Sequence, residues 1–92
     1  MAKAIVTFKL MPESPETNWA PLKEKAQAIV KEAGAVGETR ADEEPIAFGL
    51  KAVFVKAMFD VEDKDFEAIA AQMAELEGVQ SAEVARMDLA LG

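Results

Sequence analysis

The sequence predicts an α+β fold in which two helices cover one face of a four-stranded antiparallel sheet. Residues 3–11 and 50–59 have the apolar patterning of β-strands, and residues 18–34 and 63–78 repeat apolar side chains at helical spacing. Two further segments with weaker strand patterns complete the order β-α-β-β-α-β. This order is that of the ferredoxin-like sandwich, in which right-handed crossovers place both helices on the same face of the sheet.

The first strand and the first helix are separated by the turn-rich segment MPESPETN. The helix is expected to begin after Asn18, a favourable N-cap, with Pro21 in the first turn, where a missing N–H is tolerated. Gly34 is a typical residue for ending it. Trp19, the only Trp, is expected to pack at the start of this helix. The strand is expected to bury every second side chain, namely Ala4, Val6, Phe8 and Leu10.

The middle of the chain predicts two strands of different character. Residues 36–44, VGETRADEE, are polar and are expected to form an edge strand. Residues 50–59, LKAVFVKAMF, are apolar and are expected to lie at the centre of the sheet, beside the first strand. Ile5 and Phe54 are then expected on or near the open face, which no helix covers and where apolar side chains can contact a partner.

The last helix and strand follow the acidic turn DVEDKD. Either Asp63 or Asp65 is available as the N-cap, and negative charge there suits the helix dipole. Apolar residues from Phe66 to Leu76 form one stripe, and Gly78 is expected to end the helix. Residues 79–89 alternate loosely and predict the final edge strand.

Composition excludes several classes of function. The 92 residues include no Cys and no His, so the chain forms no disulfide and lacks the commonest general base and metal ligand. The net charge of −7 repels phosphate backbones, so direct binding to nucleic acid is not expected, whereas a basic protein surface would suit it. No apolar run approaches the roughly 20 residues of a membrane span. We expect one domain over residues 1–92, located in the cytoplasm.

Motifs for catalysis, metal binding and phosphate binding are missing from the sequence. The acidic residues Asp42, Glu43 and Glu44 lack the alternating spacing and the Gly of a calcium-binding loop, and a solvated surface is the simpler interpretation. Neither Ser14 nor Ser81 lies in a motif with a base, and no GxxxxGK or GxGxxG loop occurs. Hydrolytic catalysis, a bound metal and a cofactor are therefore not expected.

The segment EEPIAFGLKA, residues 43–52, raises the question of where Phe48 lies. A large apolar ring beside Gly49, outside regular structure, is compatible with two placements. Phe48 either tucks under the end of the sheet or is an exposed anchor on a loop, where recognition residues tend to lie. Pro45 would stiffen such a loop and reduce the entropy lost on binding.

Four segments together resemble the archaeal translation elongation factor 1-beta family. They are MPESPE after the first strand, EEPIAFGLKA, the acidic turn before the second helix, and EGVQSAEV leading into the last strand. The resemblance covers essentially the whole chain, in the same order and at the same length. The segments PIAFGLKA and GVQSAEV are its specific parts.

The resemblance implies a ferredoxin-like guanine-nucleotide exchange factor for elongation factor 1-alpha, the GTPase that delivers aminoacyl-tRNA to the ribosome. Such a factor makes no covalent bond, so it is not an enzyme in the bond-making sense and needs no cofactor of its own. In this family the aromatic residue before the Gly contacts the nucleotide-binding domain of the GTPase. That role maps onto Phe48, with Gly49 shaping the loop and with Pro45 and Ile46 supporting the same end of the sheet.

One position departs from the pattern of the eukaryotic members. They carry a Lys near the C-terminus that approaches the Mg²⁺ site of the GTPase, and the matching position here is Leu89. Arg86 is the only basic residue after Lys64, and alternation along a strand would turn it to the face opposite Leu89. Either Leu89 and the tail LALG wedge the phosphate-binding loop sterically, or Phe48 carries more of the effect.

Two other functions stay open on the residues alone. A ferredoxin-like domain can bind a small regulatory ligand at a subunit interface without any catalytic motif. An RNA-recognition domain on the same fold stacks bases on aromatic residues of its central strands, for which Phe8 and Phe54 are available, although the adjoining basic residues are absent.

Overall fold

A computed structural model describes residues 3–60 and 65–90 of the chain. Four strands form one sheet in the order β2-β3-β1-β4, and every neighbouring pair is antiparallel. The strands are β1 (Lys3–Pro12), β2 (Val36–Pro45), β3 (Lys51–Asp60) and β4 (Val79–Ala90), and the helices are α1 (Trp19–Glu32) and α2 (Phe66–Ala74). The predicted α+β, ferredoxin-like architecture is confirmed, with the two apolar strands at the centre.

The core lies between the sheet and both helices. Inward-facing side chains of β1 and β3 lie opposite each other, as Phe8 does with Val55, and they are fully buried. The helices add Leu22, Ala26, Val30, Ile69, Ala70 and Met73 to the same buried cluster. Burial of one large apolar side chain contributes about 1.5–3 kcal/mol, so this helix-covered face drives folding and leaves the opposite face and the sheet ends available for other roles.

Both helices begin at side-chain caps. Asn18 Oδ1 and Asp65 Oδ1 each accept a hydrogen bond from a backbone N–H of the first helical turn at 3.2 Å. Asp63, the alternative N-cap of α2, lies outside the described residues. Gly34 follows the end of α1 with a φ of 108°, as expected for a residue that ends a helix. Within the part of the chain that the structure describes, neither helix is long and apolar enough to cross a membrane.

The end of α2 differs from the prediction that Gly78 would end it. The helix ends earlier, at Ala74, and a turn follows in which the N–H of Leu76 donates to the carbonyl oxygen of Met73 at 3.1 Å. Gly78 instead ties this turn to the β1–α1 connection. Its N–H donates to Glu13 Oε1 at 3.0 Å, and its carbonyl oxygen accepts the N–H of Glu13 at 3.0 Å. A φ of 98° at Gly78 then directs the chain into β4.

A bulge in β4 changes which side chains face the helices. Thr7 pairs with Arg86 and its neighbour Phe8 pairs with Val84, so Ala85 is an extra residue. Directly opposite side chains share a face of the sheet, which turns Val84 towards the helices and Arg86 towards the open face. Between an earlier register shift near the start of β4 and this bulge, even-numbered side chains therefore face the helices, and odd-numbered ones do so after the bulge.

Candidate functional site

The connection between β2 and β3 is a tight hairpin with Phe48 at its tip. The N–H of Ile46 donates to the carbonyl oxygen of Leu50 at 2.8 Å, and the N–H of Leu50 donates to that of Ala47 at 3.2 Å. Phe48 has φ 62° and ψ 30°, and Gly49 has φ 73°. These angles fit a type I′ turn, whose twist matches that of the flanking strands. We call residues 45–50 the hairpin tip.

Phe48 adopts a backbone conformation that its residue type disfavours. Positive φ is readily adopted by Gly, but it costs a residue with a Cβ roughly 1–2 kcal/mol. The ring gains no burial in exchange, because Phe48 is 93% exposed. Of the two placements that the sequence left open, the exposed one is correct. Strained backbone that carries an exposed side chain is typical of recognition sites.

The neighbours of Phe48 shape and support the turn. A Cβ atom added to Gly49 would meet nothing within 4 Å, so this position needs Gly for its backbone conformation and not for space. Pro45 is the exposed last residue of β2, opposite Lys51, and Ile46 is half-buried. The structure thus brings these four predicted residues together at one end of the sheet.

The other two predicted residues lie on β4 and project from opposite faces. Leu89 is 66% exposed and pairs with the buried Ala4, which places it on the helix-covered side. Arg86 lies on the open face, as strand alternation predicted, and its Nε is 2.8 Å from Oδ2 of Asp88. The structure therefore does not join Arg86 and Leu89 into one site.

Met87 extends the exposed apolar surface next to Leu89, and sequence reasoning missed it. Met87 is 51% exposed and pairs with the buried Val6, so its side chain lies on the same face as that of Leu89. A spacing of two residues in a strand was the available signal. We call Met87 and Leu89 the strand-end patch.

The hairpin tip and the strand-end patch lie at opposite ends of the sheet. The tip directly precedes Lys51, whereas Leu89 shares a row across the sheet with Ala4 and Phe59. The strand from Lys51 to Phe59 spans roughly 26 Å, at about 3.3 Å per residue. A partner that contacts both groups must therefore present two separate surfaces to this protein.

A shallow groove of about 600 Å³ crosses the open face between the two ends. Ile5 and Phe54 line it and are half-buried, which confirms their predicted position. Both basic and acidic side chains line the groove, among them Lys56 and Asp42. Residues 3–60 and 65–90 contain no cluster of three or more His, Cys, Asp or Glu side chains that could hold a metal ion. The lining is thus mixed in charge and does not by itself select an anion such as phosphate.

The chain is similar over almost its whole length to proteins of one family. Residues 5–89 match the family model described as the EF-1 guanine nucleotide exchange domain. A protein named Elongation factor 1-beta from Methanococcus vannielii is 38% identical over 89 residues, which cover 97% of this chain and 99% of that protein. The protein of the same name from Pyrococcus abyssi is 42% identical to this chain over 78 residues, which cover 84% of each protein. The one from Methanocaldococcus jannaschii is 33% identical over 90 residues, which cover 98% of this chain and 100% of that protein.

Proposed function

Because the chain belongs to the EF-1 guanine nucleotide exchange family of translation elongation factors, we propose that it acts on the GTPase elongation factor 1-alpha. In this proposal it promotes the release of GDP and the loading of GTP in the cytoplasm during translation elongation. GTP replaces GDP because it is in excess, and the factor itself need not select between the two nucleotides.

The proposed mechanism is linkage between two binding equilibria. A partner that binds the nucleotide-free GTPase more tightly than the nucleotide-bound form weakens nucleotide binding by the same factor. Each tenfold loss of nucleotide affinity requires about 1.4 kcal/mol of differential binding. A few well-placed apolar contacts can supply several such factors, so the chain needs no bond-making chemistry. It is an exchange factor and not an enzyme in that sense.

The observation that carries the proposal is the exposed ring of Phe48, which projects from strained backbone at the hairpin tip. A type I′ turn holds the ring away from the body of the protein, so little conformational entropy is lost when the ring enters an apolar pocket of a partner. Aromatic residues held in this way are common among the few residues that dominate binding energy. We assign Phe48 the role of the main anchor on the GTPase.

The strand-end patch is the proposed second contact. Met87 and Leu89 present apolar area roughly 20 and 26 Å along the sheet from the hairpin tip, at about 3.3 Å per strand residue. With Phe48 fixing the factor on one surface of the GTPase, this patch is proposed to disturb the Mg²⁺ and phosphate-binding loop, which hold the β-phosphate of the nucleotide. Leu89 would act there by steric displacement, since it has no charge to compete with the ion.

The test is the release of a fluorescent GDP analogue from archaeal elongation factor 1-alpha, with this protein present at a small fraction of the GTPase concentration. We expect accelerated release in which each molecule of the factor discharges many GTPases. A folded, nucleotide-loaded GTPase that shows no acceleration would overturn the proposal. A small molecule that raises the melting temperature would then favour the ligand-binding alternative, because a ligand specific for the native state stabilises it.

A further inference from the structure

Strand β2 of the hairpin that carries Phe48 receives little support from the hydrophobic core, whereas β3 is buried in it. No residue of β2 is fully buried, and most of its side chains are exposed. The strand lies at the edge of the sheet, so among the described residues β3 is the one strand that pairs with it. Segments with few buried apolar contacts tend to open locally. Some other feature must therefore hold β2 beside β3 if the hairpin tip is to keep one orientation.

Helix α1 contacts the hairpin through three side chains spaced four residues apart. Trp19 Nε1 donates to the carbonyl oxygen of Lys51 at 3.1 Å, Lys23 Nζ lies 2.9 Å from Glu43 Oε2, and Gln27 Nε2 donates to the carbonyl oxygen of Thr39 at 3.3 Å. Residues at i, i+4 and i+8 lie along one stripe of a helix. We call Trp19, Lys23 and Gln27 the α1 stripe.

The three bonds reach both strands of the hairpin. Lys51 begins β3, whereas Glu43 and Thr39 belong to β2. Trp19 is the most buried of the stripe residues, at 4% exposure, so its hydrogen bond is shielded from water. The ion pair of Lys23 and Glu43 is also partly shielded, with side-chain exposures of 30% and 34%. Trp19 therefore bonds the hairpin directly below its tip, and the other two stripe residues contact β2 progressively farther from it.

We infer that the α1 stripe positions Phe48 for its partner, with Trp19 as the principal positioning residue. The inference rests on the proposed function, because it assigns a task to residues that do not themselves contact the GTPase. A hairpin behaves as a lever, so a small rotation at Lys51 displaces the ring at the tip. Loss of a stripe bond lowers the fraction of molecules whose Phe48 points correctly, which weakens apparent affinity in proportion.

The main experiment compares Trp19→Phe and Lys23→Ala with the wild type and with Lys25→Ala. Trp19→Phe keeps an aromatic ring but removes the N–H donor. Lys25 is exposed on the same helix, and Lys25→Ala removes the same charge as Lys23→Ala, so it is the matched control. In nucleotide exchange at low factor concentration, we expect about fivefold slowing for Trp19→Phe and about twofold for Lys23→Ala, from the usual contribution of one hydrogen bond or ion pair. Lys25→Ala should match the wild type.

The same substitutions made in a Phe48→Ala background separate positioning from a general loss of stability. If the stripe acts through Phe48, its substitutions no longer slow exchange once the ring is absent. Equal slowing in both backgrounds, at a temperature where all variants are folded, would overturn the inference. Equal effects of Lys23→Ala and Lys25→Ala would also overturn it.

Hydrogen exchange tests the same inference without any GTPase. The amides of Ile46 and Leu50 form the hydrogen bonds of the turn, and the amide of Val55, in the middle of β3, reports on the sheet as a whole. We expect Trp19→Phe to speed exchange at Ile46 and Leu50 relative to Val55. Unchanged relative protection would overturn the inference even if the wild type promotes nucleotide release. Suppose instead that Trp19→Phe speeds hydrogen exchange at the tip but the wild type does not promote GDP release. That result would support the role of the α1 stripe in holding the hairpin and would reject the proposed function.

Discussion

The hairpin tip and the strand-end patch both expose large apolar side chains, but only one of them does so at a cost to the backbone. Phe48 is 93% exposed in a left-handed conformation, within a turn closed by two hydrogen bonds. Leu89 and Met87 are 66% and 51% exposed on the part of β4 that follows its bulge. The tip therefore fixes the backbone from which a single ring projects, whereas the patch presents its area on extended backbone.

The difference shows how one small fold can provide two kinds of contact. A strained turn persists only because the surrounding structure determines it, and here β2, β3 and α1 do so. The strand needs no such support, since extended backbone suits Met and Leu without strain. We expect the tip to determine where a partner binds and the patch to affect what happens there, so substitutions at the two ends should have different consequences.

The largest expected effect is that of Phe48→Ala on nucleotide exchange. Removal of the ring should slow the release of the GDP analogue at least tenfold, which corresponds to about 1.4 kcal/mol or more. Phe48→Tyr, which retains the ring, should remain close to the wild type. Because Phe48 is exposed, neither variant should lower the melting temperature appreciably. A large drop in melting temperature for Phe48→Ala would assign the ring to the fold and not to the partner.

The next effect concerns the backbone of the tip. Gly49→Val should lower the free energy of unfolding by about 1–2 kcal/mol, because a β-branched residue is strained at a φ of 73°. Gly49→Asn is the matched control, since Asn tolerates this region, and it should lose less than half as much. Chemical denaturation measures both values. Equal losses would mean that space and not conformation limits this position.

A smaller effect is expected at the other end of the sheet. Leu89→Lys adds a positive charge at the position where the resemblance to eukaryotic members implies a Lys. It should speed nucleotide exchange about threefold, the size expected for one solvated charge pair. Met87→Lys adds the same charge on the same face of β4 and should give no gain. If the two variants behave alike, or if Leu89→Lys leaves the rate unchanged, the Mg²⁺ site is contacted elsewhere.

The smallest expected effect is on stability, when Asn is introduced at each of the two ends in turn. Phe48→Asn should raise the free energy of unfolding by about 0.5 kcal/mol, because Asn relieves part of the left-handed strain. Leu89→Asn should lower the free energy of unfolding slightly, since Asn is disfavoured in strands. Denaturant titration of both variants checks the sign. Stabilisation at both positions would remove the contrast in backbone strain between the two ends.

Much of the fold can be predicted from local sequence patterns. Alternation in β1 identifies the buried set from Ala4 to Leu10, and Asn18 identifies where α1 begins, whereas the sequence leaves Asp63 and Asp65 as alternative caps of α2. The end of α2 was misplaced because Gly78 resembles a helix-ending residue, whereas its actual task is the bonded turn with Glu13. The contact between Gly78 and Glu13 joins distant parts of the chain, so no local sequence pattern predicts it.

The site was predicted less completely, for two physical reasons. A Phe-Gly pair fits several turn types, so only the hydrogen bonds of the hairpin tip establish the positive φ and the exposure of Phe48. The face of Leu89 depends on the bulge at Ala85, which inserts one residue into an otherwise alternating strand. By contrast, the separation of Phe48 from Leu89 follows from topology alone, because antiparallel β3 begins at one end of the sheet and finishes at the other.

Trp19 gives this protein an optical property that follows directly from its place in the fold. The chain has one Trp and no Tyr, so its intrinsic fluorescence comes almost entirely from one side chain. That indole is buried and bonded to a carbonyl group 32 residues away in sequence. A refolding trace followed by emission therefore records the docking of the first helix on the central sheet, and the formation of an isolated helix would leave it almost silent.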